Sequence, residues 1–246
     1  MNNDSVSILG IKVARLTMNE VMEWIEEKIM EEKPTHLVTA NAEIIYNAYK
    51  KPEVADVVKN ADLIIADGSG VVWASNKLKK PVPERVTGID LVNKIFEYAE
   101  KKGWGIYFLG AKPEVVEKAV LDTLGRYNNL KVTGYLHGYF SQKDIEQVVE
   151  NIAHTEPKII LVGLGAPKQE NFIRENLEKM NVPVAIGVGG SFDVLAGVAK
   201  RAPKWMQELN LEWLYRFMKE PCRFRRIFAL PMFVLAVLKQ KYVLKG

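Results

Sequence analysis

The apolar run Leu63-Ile-Ile-Ala66 ends in an aspartate, Asp67. In an open α/β sheet ligands bind beyond the carboxyl ends of the strands, so a strand of this kind would deliver that carboxylate into a cleft. A carboxylate placed there can take a proton from a hydroxyl. Asp67 can equally cap the turn Gly68-Ser-Gly70, and the local sequence does not choose between the two. A second candidate is Gly163-Leu-Gly-Ala-Pro-Lys-Gln169, which follows an apolar run and opens a helical pattern, with Pro167 suited to the first helical position. Its glycines would let backbone N–H groups approach an anion, and a helix N-terminus favours negative charge, so a diphosphate would fit. The alternative is that these glycines only make a tight turn. Two further turns of the same kind are Thr39-Ala-Asn41-Ala-Glu43 and Gly187-Val-Gly189-Gly-Ser-Phe-Asp193. Gly163, Gly165 and Gly189 are therefore candidate substrate contacts.

Several chemistries are disfavoured. The segment after Gly163 lacks the third glycine of a dinucleotide fingerprint, and the turn at Thr39 has no glycine, which argues against a nicotinamide oxidoreductase. No Gly-x-Ser-x-Gly occurs, and the three histidines are scattered: His137 and His154 suit turns or the surface, His36 a strand start in the core. There is no Asp-x-Asp, the usual device for holding a metal beside a nucleotide-sugar diphosphate, so neither metal nor cofactor is expected. Positive side chains would have to neutralise the leaving group. Arg85 is one candidate; Arg216, Arg223 and Arg226, spaced by seven and three, would share a helical face, although Pro221 can bend that helix. Each arginine could instead serve attraction to anionic lipid, worth about 1 kcal/mol per charge.

The elements that must position these groups follow from periodicity. After a strand-like opening at Val6 to Val13, Thr17-Met-Asn-Glu20 forms a capping box before Val21, Trp24, Ile25 and Ile29. Short apolar runs at 36–39, 63–66, 105–109, 130–135, 158–162 and 182–188 then alternate with helical patterns at 43–49, 88–101, 113–126, 141–154 and 167–180. Continuous apolar strands separated by helices mean a largely parallel sheet covered on both faces. The expected fold is α/β, a Rossmann-like doubly wound domain over 1–197, followed by a helical, basic, membrane-associating appendage over 198–246.

That appendage stands out by charge. From Arg201 onward ten Lys and Arg face three acids, a net of +7, while the whole chain of 246 residues is only +4. Beside the arginines lies Ile227-Phe-Ala-Leu-Pro-Met-Phe-Val-Leu-Ala-Val-Leu238, twelve uncharged residues, whereas a spanning helix needs about 20. The run can dip into a bilayer without crossing it. Nucleic acid is the competing partner for such charge, but interleaved Trp205, Trp213, Tyr215, Phe217 and Phe224 suit burial at headgroup level, and no nucleic acid is expected. With 48% apolar residues, a single cysteine at Cys222 and no secretory pattern at the start, a peripheral protein on the cytoplasmic face of the membrane is expected. A homo-oligomer is left open.

Taken in order, these strings resemble a family of bacterial glycosyltransferases that includes the teichoic-acid N-acetylmannosaminyltransferases, the enterobacterial common antigen N-acetylmannosaminuronic acid transferases and related capsule enzymes. The resemblance runs through Thr39-Ala-Asn-Ala-Glu43, Ala66-Asp-Gly-Ser-Gly-Val-Val-Trp-Ala74, Arg85-Val-Thr-Gly-Ile-Asp90, Phe108-Leu-Gly-Ala111 and Leu161-Val-Gly-Leu-Gly-Ala-Pro-Lys-Gln-Glu170. It continues in Gly187-Val-Gly-Gly-Ser-Phe-Asp193, Lys200-Arg-Ala-Pro203 and Leu211-Glu-Trp-Leu-Tyr-Arg216, and so covers nearly the whole chain. It implies metal-free, inverting transfer of N-acetylmannosamine from a UDP-sugar to the 4-hydroxyl of undecaprenyl-diphosphate-linked N-acetylglucosamine. It further implies Asp67 as general base, Thr39 and Asn41 as sugar ligands, and Arg85 and Gln169 as substrate and phosphate contacts. Arg216, Arg223 and Arg226 would be diphosphate partners supplied by the tail. Family members differ in donor, N-acetylmannosaminuronic acid and glucose among them, and no single residue here reads out the sugar.

Overall fold

The computed structural model describes residues 4–208, 212, 214–215 and 229–243. The opening is a hairpin rather than one strand. β1 (Ser5–Ile8) and β2 (Ile11–Ala14) pair antiparallel across Leu9-Gly10, both at positive φ (50° and 85°), the geometry a two-residue hairpin turn demands. Val6, Ile8, Ile11 and Val13 are buried, as period-two alternation requires. Helix α1 (Met18–Glu31) starts at the expected capping box, with Thr17 accepting from Glu20 N and Glu20 accepting from Thr17 N at 2.7 Å.

Six strands make one parallel sheet: β3 (Thr35–Ala40), β4 (Leu63–Ala66), β5 (Ile106–Gly110), β6 (Val132–Leu136), β7 (Ile159–Gly163) and β8 (Val184–Gly187). Their order is β4-β3-β8-β7-β5-β6, and every pair is parallel. α1, α5 (Gly88–Lys102), α6 (Pro113–Leu124) and the short α9 (Ser191–Leu195) cover one face. The other carries α2 (Ala42–Lys50), α3 (Pro52–Lys59), α4 (Ser69–Lys77), α7 (Ile145–His154) and α8 (Lys168–Met180). Burial on both faces is why the central strands read as continuous apolar runs.

Three of these helices, α3, α4 and the short α9, do not register in the periodicity. Gly68-Ser-Gly70 has the composition of a turn, yet Ser69 and Gly70 begin α4. Gly70 is there for contact: a Cβ on it would lie 3.1 Å from Ala42 Cβ and 3.3 Å from Leu230 Cδ1. Leu230 belongs to the last helix, designated here α11 (Ala229–Val243), which follows α10 (Lys204–Glu208) in the described chain. α11 buries Phe233 and Val237 in the apolar cluster shared with α2 and α4. Its Gln240 bonds the hairpin from both ends of its amide, accepting from Leu9 N at 2.8 Å and donating to Ser7 O at 2.8 Å. Among the described residues no helix is long and apolar enough to cross a membrane.

His36, at the start of β3, is a core residue, as its place at a strand start suggests. It is buried, its Nε2 has no hydrogen-bond partner, and burial pushes its pKa down from 6.5 to about 4. The unfolded chain therefore binds a proton that the folded chain refuses, so stability contributed by neutral His36 is complete above pH 6.5 and lost as pH falls towards 4. The loss amounts to about 3 kcal/mol over that window. Urea titrations across it should show His36→Leu losing less stability on acidification than the wild type; identical pH dependence in the two proteins would refute the assignment.

Candidate active site

The carboxyl ends of β3, β4, β5, β7 and β8 open into a cleft of about 1100 Å³, whose walls include Thr39, Asn41, Asp67, Arg85, Gly163, Gly165, Gln169 and Gly189. Eight residues named from sequence are thereby gathered at one place. Arg216, Arg223 and Arg226 lie outside the described residues.

Asp67 leaves the end of β4 with its own N–H donating to Ala40 O at 2.9 Å. One of its contacts orients it: Oδ1 accepts from Gly88 N at 3.0 Å. Gly88 is the first residue of α5, so the partly positive end of that helix faces the carboxylate and orients it. The start of α5 is itself secured. Thr87 caps it by accepting from Asp90 N, and Arg201 grips both carboxylate oxygens of Asp90 at 2.6 and 3.1 Å. Burial alone would raise the Asp90 pKa, but the bonds from Arg201 and Thr87 outweigh it and hold the group below its ordinary value. A residue beyond Gly197 thus braces the helix that orients Asp67.

Thr39 and Asn41 line the same cleft with part of their polarity already used. Thr39 Oγ1 donates to Gly187 O at 2.8 Å, joining β3 to β8, and Asn41 Oδ1 caps α2 by accepting from Ile44 N at 3.0 Å. Arg85 lies on the wall with its guanidinium 3.5 Å from the Glu212 carboxylate, and both side chains are largely buried.

The glycine turns are built differently from a simple anion cradle. Gly165 and Gly189 have positive φ (78° and 53°), as tight turns require. Their N–H groups both donate to Gln169 Oε1, at 3.2 and 3.0 Å. Gln169 therefore staples the turn after β7 to the turn after β8. Its Nε2 donates to Glu170 Oε1 at 2.8 Å. Gly163 answers a packing need, since a Cβ there would lie 2.8 Å from the Phe192 ring and 3.0 Å from Gly189 O. Pro167 sits one residue ahead of the position expected, outside α8, at a cis Ala166-Pro167 bond.

Sequence reasoning gave no role to Glu170 or Glu212, both of which line the cleft. Glu170 is 1% exposed, and burial pushes its pKa up against the opposing bond from Gln169. No spacing rule marks a carboxyl that enters the core beside its neighbour. Among the described residues no three His, Cys, Asp or Glu side chains lie close enough together to hold a metal ion.

A carboxylate at the end of β4, with paired glycine turns after β8 and β7 beyond the intervening β3, lies at the carboxyl edge of the sheet, where α/β enzymes of this architecture bind their ligands. The chain belongs to the WecG/TagA/CpsF family of glycosyl transferases, whose model matches residues 6–246. Over 236 residues it is 34% identical to the N-acetylglucosaminyldiphosphoundecaprenol N-acetyl-beta-D-mannosaminyltransferase of Bacillus subtilis (strain 168), spanning 96% of this chain and 91% of that protein. A protein of the same name from Staphylococcus aureus (strain MW2) is 37% identical over 246 residues, covering 99% of this chain and 96% of the relative. The one from Bacillus spizizenii is 37% identical over 209 residues, covering 85% and 80%.

Proposed function

We propose that this chain transfers N-acetylmannosamine from a UDP-sugar to the 4-hydroxyl of N-acetylglucosamine carried on undecaprenyl diphosphate. The observation that carries the reading is the placement of Asp67 in the same cleft as the stapled glycine turns, in a chain similar along nearly its whole length to transferases with that acceptor and sugar in their names. In the reaction Asp67 takes the proton of the acceptor hydroxyl as its oxygen attacks the anomeric carbon. The bond from that carbon to the phosphate oxygen breaks, and UDP leaves with the electron pair. Attack from the face opposite the leaving group inverts the anomeric centre. Thr39 and Asn41 contact the sugars; Arg85, together with the helix and backbone dipoles of the turns after β7 and β8, meets the charge that develops on the diphosphate. Arg216, Arg223 and Arg226 are proposed as further diphosphate partners.

No metal takes part in this proposal, which rests on the absence of Asp-x-Asp from the sequence and on the supply of arginines. The lipid-linked acceptor requires the cleft to work at a membrane surface. α11 supports that part of the reading: it turns Phe233 and Val237 inward and leaves Met232, Leu235, Tyr242 and Val243 exposed. An apolar stripe beside Lys239 suits an anionic leaflet, taken here to be the cytoplasmic one.

Asp67→Asn should leave the thermal melt in place and lower turnover by roughly 10²- to 10⁴-fold, the range of a positioned acid-base group. A variant that turns over at the wild-type rate when chemistry is limiting would remove Asp67 from the mechanism. Activity should survive excess EDTA, whereas loss on chelation with recovery on Mg²⁺ or Mn²⁺ would put a metal into the reaction. Leu235→Glu should weaken sedimentation with phosphatidylglycerol vesicles while sparing turnover on a short-lipid acceptor; vesicle binding equal to the wild type would detach α11 from the membrane role.

A further inference from the structure

Glu170 is the only carboxyl group buried from solvent among the described residues, at 1% exposure. One oxygen accepts from Gln169 Nε2 at 2.8 Å, and the other, Oε2, has no hydrogen-bond partner. Enclosing a carboxyl group in this way is unfavourable unless it performs something an apolar side chain could not. Its bond to Gln169 shows what that is. The Gln169 amide faces two backbone donors, Gly165 N–H and Gly189 N–H, and only its oxygen can receive them. Its nitrogen must then point the other way, into the core, where an NH₂ group needs an acceptor. Glu170 Oε1 is that acceptor. Gly187 makes room for the pair, since a Cβ there would stand 2.5 Å from Gln169 Nε2 and 3.0 Å from Glu170 Oε1.

We propose that Glu170 is a positioning residue for donor binding: by accepting from Gln169 it holds the amide oxygen on the Gly165 and Gly189 N–H groups. In this way it sets the spacing of the two turns between which the diphosphate of the nucleotide-sugar lies. The second clause rests on the function proposed above; the clamp itself does not. Burial pushes the pKa of this carboxyl group up against the opposing bond from Gln169, which disfavours a full negative charge under an anionic ligand. Glu170 touches no reacting atom and acts through Gln169.

Two measurements on the full-length chain test this. In the ligand-free protein, amide exchange at Gly165 and Gly189 should rise about tenfold in Glu170→Met, which keeps the bulk and removes the acceptor. Glu170→Asp, which keeps a carboxyl group but withdraws it by one methylene, should do the same and serves if the methionine variant does not fold. Glu170→Gln, neutral and still able to accept, should restore most of the protection. Calorimetric titration with UDP should then show affinity weakened about tenfold in Glu170→Met and recovered to within about threefold in Glu170→Gln. The donor KM should rise more than kcat falls. Adding Glu170→Met to Gln169→Ala should weaken UDP binding no further, because both changes release one clamp. Wild-type exchange at the two glycines in both the methionine and aspartate variants overturns the clamp whether or not UDP binds. Faster exchange with unchanged UDP affinity, or losses that add in the double variant, overturns its role in donor binding. A wild-type protein that shows no UDP binding, with the exchange result intact, removes the donor assignment and leaves the clamp standing.

Discussion

Parallel pairing is the constraint on which the site depends. Because all six strands of the large sheet run the same way, every strand-to-helix turn emerges at one edge, and neighbouring turns lie side by side whatever their separation in sequence. Hydrogen bonds then stitch these turns to one another across the edge. Asp67 N reaches Ala40 O, Thr39 Oγ1 reaches Gly187 O, Val188 N reaches Val162 O, Ala111 N reaches Gly163 O, and Gly138 N reaches Ala111 O. Every turn from β4 to β6 is thereby tied to the next. Gly110 and Gly163 permit the closest of these approaches, for a Cβ on Gly110 would lie 2.4 Å from Gly163 O. Glycine at these two turns is first a packing requirement, and any approach of backbone to a ligand is built on top of it.

Where burial alone dictates a residue, the sequence is legible. β3, β5, β7 and β8 are enclosed on both faces and therefore show as unbroken apolar runs, and α1 announces itself through Thr17 and Glu20. Composition misleads where a residue serves a distant neighbour. Gly68-Ser-Gly70 has turn chemistry, but Gly70 is small because Ala42, Leu230 and Phe233 crowd the start of α4. Lys51 ends α2 and also begins α3, with Pro52 as the first helical residue, so two short helices run together without the spacer that periodicity needs to separate them. The hairpin of β1 and β2 merges into one run for the same reason, its turn being only Leu9-Gly10.

The site divides along the same line. The strand-end rule alone is enough to locate Thr39, Asn41, Asp67 and the glycine turns, because it depends only on where apolar runs stop. What these residues bond to is not legible locally. Asp67 meets Gly88, which lies 21 positions on, and Asp90 meets Arg201, 111 positions on. The family pattern implies Gln169 among the substrate and phosphate contacts, and its amide oxygen accepts from two backbone N–H groups of the protein itself. Its place on the cleft wall leaves substrate contact open, but the orientation of the amide is set from within. Glu170, beside it, carries no periodic or motif signal because a helix that buries Phe172, Ile173 and Asn176 gives no reason to expect a carboxyl group on its inner face.

The end of the chain shows how much an apolar run leaves unsaid. Ile227 to Leu238 has the hydropathy of a segment bound for lipid, but the described part of it spends Phe233 and Val237 on the domain. A helix of 15 residues is about 22 Å long, too short for a hydrocarbon layer of about 30 Å, and docking along its side gives it two faces with different solvents. The contact has a consequence for the chemistry. Leu230 lines the cleft and, with Phe233, packs on Gly70 in the first turn of α4, three residues after Asp67. The orientation of the exposed stripe on α11 is thus coupled, through the start of α4, to the strand end that carries the carboxylate. Arg201 makes a second link from the C-terminal segment, through Asp90 to the start of α5, whose Gly88 N–H holds Asp67 from the other side. The carboxylate is thus held between the starts of two helices, each braced by a residue beyond Gly197. The docking of α11 and the orientation of Asp67 are in this sense mechanically linked in the fold.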